Sequence, residues 1–482
     1  MKTNEEKIEW VKLFKREPEL LIVFQAPFGR KYYPEAIGIN FQPRNLKHEE
    51  WFYYIDKKDL IQEFLAIKEE HEKNPLFLVD LADKIERKGK ELVRKTEELT
   101  TNIKNKSNKE LRDTFEEVND IFCRYMPFVW VGFSVEKVLT EDIKPKLRAA
   151  YPDVSDSDKE IDEYLNILTS PLFKESTTVM EHKKILEVAT LLKEEGKMTP
   201  SVEDKIRGLW REFSWAGATR VGWSYQKPPY DMEHYKGLIN VLAQGDPNKQ
   251  LEQLKQKEKE LKKKYNEFIA EKQIYTEIIK TADLLQRYIF LRTYRGEVVV
   301  QAMVHISPLL SEITSRFDLR LEDIVYFIPN EIIKLLDSGK IPEYEQRKKG
   351  YKLIILDGKP ELIGGVKIAE TKFEDISELR GQGIVGDVIE GRTRVIYKRE
   401  DIKKFRDGEV LVTQMTSPDM MPAIMRASAI ITDEGGLTCH AALISRELQI
   451  PCIIGTEVAT KIFKDGDLVE VNSKEGIARK VR

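Results

Sequence analysis

The side chains with the clearest chemical use lie in one stretch, residues 429–456, AIITDEGGLTCHAALISRELQIPCIIGT. It contains His440, one of only six histidines in the chain. A neutral imidazole is a nucleophile and can take up a phosphoryl group on nitrogen. The setting suits that chemistry. "AIIT" has the pattern of a buried strand, "DEGGLT" that of a turn and "CHAALISREL" that of a helix. Gly435 and Gly436 permit backbone angles other residues avoid and allow a ligand to come close. Thr438 is the expected N-cap. His440 then sits in the first helical turn, where unpaired N–H groups and the helix dipole attract anions. The same dipole disfavours imidazolium and keeps the ring neutral. Ala441 and Ala442 leave the surface beside it bare. These residues compose a phosphohistidine site, and they are equally those of a helix-start histidine that caps or packs locally. No metal site is expected, because the only near neighbour of ligand type, Cys439, is adjacent and would face elsewhere.

The elements around this stretch divide the chain by texture. Its 482 residues suggest two to four domains. Residues 1–80 mix β-rich pieces such as "ELLIVFQAP" and "EWFYYI" with a first helix. Residues 81–335 repeat apolar side chains at helical steps throughout. Within them Leu251, Leu254, Glu258, Leu261, Tyr265 and Phe268 form a heptad seam with one charged interruption, read as a helix pair inside a bundle. Residues 336–380 mix short strand-like pieces with Gly and Pro and are expected to be a linker or hinge. Residues 381–482 alternate short β runs with two short helices near 419–427 and 439–448 and close on a hairpin around Ser473–Gly476. The expected fold is therefore multidomain: a mainly α-helical N-terminal and central region, followed by a C-terminal α/β domain.

Composition excludes several classes. The formal net charge of -3 gives no global basic field for nucleic acid. The charged N-terminus is unlike a signal peptide, and no consecutive apolar run approaches the ~20 residues of a membrane span. Three cysteines are too few for a disulfide framework. A cytoplasmic protein without membrane or nucleic-acid partners is expected.

The stretch around His440 resembles the phosphohistidine swivelling domain of the phosphoenolpyruvate (PEP)-utilizing enzymes, which include phosphoenolpyruvate synthase and pyruvate phosphate dikinase. Their pattern is matched at Thr432, Gly435, Gly436, Thr438, His440, Ala441, Ala442, Arg446, Glu447, Ile450, Pro451 and Gly455. The upstream "VLVTQMTSPDMMPAIMRASAI" and "GIVGDVIEGRTRVI" fit the same domain. The resemblance implies that His440 is phosphorylated and that Gly435, Gly436, Thr438 and Arg446 help to hold the phosphoryl group. Scattered pieces between 150 and 350, among them "REFSWAGATRVGW" and "LLQRYIFLRTYRGEVV", resemble the helical region of rifampicin phosphotransferase and of the large subunit of phenylphosphate synthase. The ATP-grasp module and the PEP-binding barrel of the full synthase have no counterpart in this sequence. The expected donor is thus a separate ATP-grasp subunit carrying ATP and Mg²⁺, with no cofactor held stably here. The expected acceptor is a small molecule in the helical domain. A subunit of a split phosphoenolpyruvate synthase and a non-catalytic, phosphohistidine-dependent regulator are the alternatives.

Chemistry alone suggests candidates for an acceptor pocket. Trp210, Trp215, Trp223, Tyr225 and Tyr230 cluster in sequence and could line an apolar pocket or belong to the core. Arg287, Arg292 and Arg295 could meet phosphate oxygens or pair with nearby acids. His182, His234 and His305 are possible bases for an acceptor hydroxyl or structural histidines.

Overall fold

The computed structural model describes residues 4–15, 19–49, 52–151, 158–219, 224–226, 228–366, 378–397, 399–416, 420–435 and 439–481. The chain runs β1 (Trp10–Lys15), α1 (Leu20–Phe28), α2 (Tyr33–Ile37), β2 (Leu46–Glu49), β3 (Phe52–Asp56), α3 (Lys57–Lys73), α4 (Phe77–Leu99), α5 (Asn108–Ala150), α6 (Asp158–Leu168), α7 (Thr177–Glu195), α8 (Pro200–Phe213), α9 (Met232–Ala243), α10 (Pro247–Glu271), α11 (Thr276–Arg316), α12 (Leu321–Ile324), α13 (Pro329–Ser338), α14 (Glu345–Lys348), β4 (Tyr351–Leu356) and β5 (Lys359–Gly364). It continues through β6 (Glu378–Arg380), β7 (Gln382–Ile384), β8 (Val388–Ile396), α15 (Arg399–Ile402), β9 (Val410–Thr413), α16 (Met421–Ile424), β10 (Ala429–Thr432), α17 (His440–Leu448), β11 (Cys452–Ile454), α18 (Ala459–Ile462), β12 (Leu468–Asn472) and β13 (Ile477–Lys480). The architecture is multidomain, mainly helical, with an α/β C-terminal module. Two compact units result: Met1–Glu141 with Val221–Pro228 and Tyr294–Glu370, and Asp142–Arg220 with Pro229–Thr293 and Thr371–Arg482.

The first unit holds a five-stranded sheet in the order β1-β3-β2-β4-β5. Its last two strands come from the segment expected to be a linker, 336–380. That segment instead begins at the end of α13 and builds a hairpin whose β4 pairs with β2 through Leu46↔Ile355, Lys47↔Ile354 and His48↔Leu353. The physical reason is local. Asp357 and Gly358 both have positive φ, 46° and 86°, as a two-residue Asp-Gly hairpin turn requires. Tyr351, Leu353, Ile354 and Ile355 are buried, so β4 is a core strand. Residues 367–377 lie outside the described residues. Among the helices of this unit, Gly89 of α4 lets its backbone approach α5 and α11: a methyl there would meet Val298, Tyr125 and Tyr294. By length and composition α11 is the one membrane-span candidate among the described residues, with a window of mean hydropathy 1.2 that is 56% buried in the protein. Its Val298, Val299, Ala302, Met303 and Ile306 serve a protein core.

The second unit combines helices with an eight-stranded sheet of order β6-β13-β12-β8-β9-β10-β11-β7. Its centre, β8–β9–β10–β11, is parallel. Parallel strands are covered on both faces and so read as unbroken apolar runs, which explains "VLVT", "AIIT" and "CII". Alternation then sorts the side chains. Leu411, Ile430, Cys452 and Ile454 enter one core, while Val412, Ile431 and Ile453 enter the other. The first of these cores also takes Val179 and Leu186 of α7 and Leu251 and Leu254 of α10. The α10 seam is thus buried within the chain. Its first two leucines pack against the α/β module, and Tyr265 packs in a separate helical core with Leu147, Ile161 and Ile278. Glu258, its charged interruption, lies 2.8 Å from Lys183 of α7.

Candidate functional site

His440 opens α17. The strand β10 leads into it through Asp433, whose carboxylate accepts the Thr460 backbone N–H at 2.8 Å and the Thr460 hydroxyl, pinning the turn. Gly435 follows with φ 140°; a Cβ there would lie 2.7 Å from Cys439 Sγ. This glycine is therefore required by the turn itself. The N-cap is Cys439, whose Sγ accepts the Ala442 N–H at 3.5 Å. It replaces the expected Thr438. Gly436 and Thr438 lie outside the described residues.

Both nitrogens of the His440 ring are engaged. Nδ1 lies 2.8 Å from Thr416 Oγ1, and Nε2 lies 3.1 Å from Thr178 Oγ1. A neutral imidazole has one donor and one acceptor nitrogen, and a hydroxyl can complement either. Burial pushes the ring's pKa from 6.5 down to about 4, so it is neutral at pH 7. Thr416 belongs to the same α/β module as His440. Thr178 belongs to the first turn of α7. Nδ1 is thus bonded within the module, and Nε2 is bonded to a residue of α7 outside it.

Further contacts join α17 to the helices. His440 and Glu447 are seven residues apart, two turns along one helical face. Ile444, between them, is buried in the core shared with α7 and α10. Glu447 accepts the Ser176 backbone N–H at 2.9 Å and the Ser176 hydroxyl at 2.7 Å. Ser176 is in turn the N-cap of α7. Burial raises the Glu447 carboxyl to about 7, against the opposing pull of the Ser176 bonds. Lys257 of α10 donates to the Leu448 carbonyl at 2.7 Å, closing the far end of α17. Arg446 is buried and gives Nη2 to Asn166 Oδ1 at 3.4 Å. Burial lowers its pKa to about 10. It stands six residues beyond His440, roughly 9 Å along the axis. Thr178, Ser176, Thr416 and Glu447 escaped assignment from sequence. The signals were a Ser-Thr-Thr N-cap run and a threonine inside "QMTSPD".

The proposed acceptor residues are divided between the two units. Trp215 is buried and bonds the Glu212 carbonyl at 3.0 Å in the second unit. Tyr225 is buried in the first unit, its hydroxyl 2.7 Å from Gln25 Oε1 and its N–H 2.7 Å from Glu19 Oε2. Trp223 lies outside the described residues. Trp210 donates to the Tyr230 carbonyl, and the Tyr230 ring stacks on His234. Arg287 sits 5.6 Å above the Phe173 ring, and Arg292 is half-buried on α11. Arg295 is buried in the first unit, with Nη1 2.9 Å from the carbonyls of Phe128 and Val129. His305 bonds the Val93 carbonyl at 3.2 Å. His182 is buried and neutral, one turn beyond Thr178, with no partner at Nε2 among the described residues. No group of three His, Cys, Asp or Glu among the described residues could hold a metal ion.

Comparison with known proteins bears on the same region. Residues 405–476 match the family described as PEP-utilising enzyme, mobile domain. The probable phosphoenolpyruvate synthase of Archaeoglobus fulgidus is 43% identical over 145 residues, 29% of this chain and 19% of that protein. That of Pyrococcus horikoshii is 44% identical over 145 residues, 29% of this chain and 17% of that protein. The rifampicin phosphotransferase of Bacillus cereus is 28% identical over 274 residues, 54% of this chain and 31% of that protein, a stretch longer than the α/β module. The chain thus spans under a third of the length of these relatives. A solved structure of Enzyme I aligns at a TM-score of 0.17 and 15% identity, over 64% of this chain and 80% of that one, too low to carry an argument.

Proposed function

The chain carries the mobile domain of the PEP-utilising enzymes, and from that premise we propose that it is a phosphotransferase component which carries a phosphoryl group on Nε2 of His440. The observation that supports this best is the asymmetry of the ring. Thr416 sits on Nδ1 inside the module, and Nε2 points out of it. The hydrogen bond made by one nitrogen selects the tautomer of the other. With the proton on Nδ1, given to Thr416 Oγ1, the Nε2 lone pair is free to attack phosphorus.

The two transfers then balance. In the first, Nε2 bonds the terminal phosphorus of ATP as the bond from that phosphorus to its bridging oxygen breaks, and ADP departs with the bridging oxygen. In the second, an acceptor hydroxyl attacks the same phosphorus, the Nε2–P bond breaks with its electron pair returning to Nε2, and the hydroxyl proton passes to water. Passing the group through a covalent histidine divides one transfer into two in-line displacements, each of which needs little beyond positioning and charge. In this reading the donor is ATP with Mg²⁺ on a separate ATP-grasp subunit, and the acceptor is a small molecule bound by the helical region. The similarity to rifampicin phosphotransferase, longer than the module alone, supports a helical acceptor region.

The test is peptide mapping for acid-labile phosphate after incubation with Mg²⁺-ATP, with and without an extract of the source cell. Label on His440 that requires the extract is the expected result. No label on His440 from ATP or phosphoenolpyruvate under either condition would overturn the carrier reading.

A further inference from the structure

A cleft of about 1030 Å³ lies in the first unit, lined by the irregular segment 40–45, the start of α3 and the β4–β5 turn. It is as large as small-molecule sites of roughly 300–1,000 Å³. Buried acids tie its walls together. Asp59 accepts the backbone N–H of Arg44 at 2.6 Å and that of Asn45 at 2.8 Å. Asp56, the N-cap of α3, accepts the Lys58 N–H at 2.9 Å and Asn45 Nδ2 at 3.0 Å. Asn45 Oδ1 accepts the Asp357 N–H at 2.9 Å, and the Arg44 carbonyl accepts the Gly358 N–H at 3.1 Å. Three segments distant in sequence are thus held in register, and the carboxylates of Asp56 and Asp59 are engaged in holding them.

The cations of the same walls are left over. Arg44 is bonded through both its N–H and its carbonyl, and Lys58 through its N–H. Among the described residues, neither of their side chains has a hydrogen-bond or ion-pair partner, and neither has that of Lys7. The remaining acid, Asp357, is exposed. Three unengaged cations therefore stand against one unengaged carboxylate. The side-chain amides of Asn40, Gln42 and Gln62 are also without partners among the described residues. A backbone fixed by its own bonds, carrying polar heads that nothing satisfies, is preorganised for a polar ligand.

We propose that this cleft binds a small phosphorylated molecule with a hydroxyl-bearing body, a sugar phosphate or a nucleotide. Its phosphoryl oxygens meet Arg44, Lys58 and Lys7, since guanidinium and ammonium groups donate charged hydrogen bonds to phosphate. Its hydroxyls meet the three amides, which can both donate and accept. The site goes beyond the carrier reading and does not rest on it: every residue of the cleft belongs to the first unit, and His440 belongs to the second.

Isothermal titration calorimetry of the full chain with ribose 5-phosphate, AMP, ribose and inorganic phosphate tests it. Ribose 5-phosphate or AMP is expected to bind one-to-one with a Kd below ~1 mM, at least about tenfold tighter than ribose or inorganic phosphate. Tighter binding of AMP assigns the site to a nucleotide, and equal or tighter binding of ribose 5-phosphate assigns it to a sugar phosphate. Arg44→Ala and Lys58→Ala are each expected to weaken binding roughly tenfold. Both side chains are exposed and unbonded, so the fold is kept. His440→Ala is expected to bind as the parent does. Failure of both phosphorylated probes to bind, or binding that Arg44→Ala and Lys58→Ala leave unchanged, overturns the proposal. Inorganic phosphate binding as tightly as either probe overturns the role given to the amides. Each of these failures leaves the carrier reading standing.

Discussion

Arg295 in the first unit and His440 in the second are both polar side chains drawn into protein, and they are satisfied in opposite ways. Arg295 gives its guanidinium to two main-chain carbonyls of α5. It lies so close to Gly132 that a Cβ there would fall 2.0 Å from Nη1. Those acceptors cannot turn away, and the arginine is a brace. His440 is met by two threonine hydroxyls, which can rotate and exchange donor for acceptor roles. One of them belongs to a different structural element from the ring. Fixed partners make a buried polar group part of the framework, whereas adaptable ones leave it able to change its chemical state.

That contrast can be broken by substitution. His440→Ala should abolish acid-labile phosphorylation altogether while the circular dichroism spectrum stays that of the parent; residual label elsewhere in the module would move the carrier to another residue. Arg295→Met should destabilise the first unit by about 2–4 kcal/mol, read in denaturant unfolding, because buried carbonyls lose a charged partner. It should leave the labelling of His440 unchanged, and a parallel loss of label would erase the distinction. Thr416→Val keeps the shape of the side chain and removes the bond at Nδ1. The rate of His440 phosphorylation is expected to fall roughly 10- to 100-fold, about 1.4–2.7 kcal/mol in barrier, with stability changed by less than ~1 kcal/mol. A wild-type rate would mean that Thr416 does not set the tautomer.

The effect of pH sharpens the same comparison. The unfolded chain protonates its histidines near 6.5, while His440 and His182 in the fold resist until about 4. The unfolded state therefore binds more protons in that window, and stability should fall as pH drops from 6.5 towards 4. The two rings together set a loss on the order of a few kcal/mol. Glu447, raised to about 7, acts with the opposite sign: its stabilising share is full below its ordinary carboxylate range and is lost as pH rises through about 7. A Glu447→Gln variant should remove this opposing share and so steepen the loss of stability as pH falls from about 6.5 towards 4.5. The smallest effect is expected at Arg287→Ala, within about 0.5 kcal/mol in stability and with no change in labelling, since its ring contact with Phe173 is at the surface of α11.

How far these features were legible depends on the distance over which each is specified. The module was readable because its strands are unbroken apolar runs, its turn needs Gly435, and its last strands form a local hairpin. The β4–β5 hairpin carried an Asp-Gly turn signal, but its pairing with β2 joins segments some three hundred residues apart, and no local pattern reports that. Thr178 stands 262 residues from His440, so nothing in its own neighbourhood marks it as a partner of the ring. Arg295 and Tyr225 were noticed for what their side chains can do. What they do was fixed by partners invisible in sequence, two carbonyls of α5 in one case and Gln25 and Glu19 in the other. Residue type proposes chemistry, and packing decides whether a ligand or the framework receives it.

The most direct test of the central claim is the site of attachment on the ring itself. Nitrogen-15 NMR of the phosphorylated chain, labelled at histidine, distinguishes a phosphoryl group on Nε2 from one on Nδ1. The account expects the group on Nε2 of His440 and a protonated Nδ1 still bonded to Thr416. Attachment at Nδ1 would contradict it, since that nitrogen is the one the module keeps for itself.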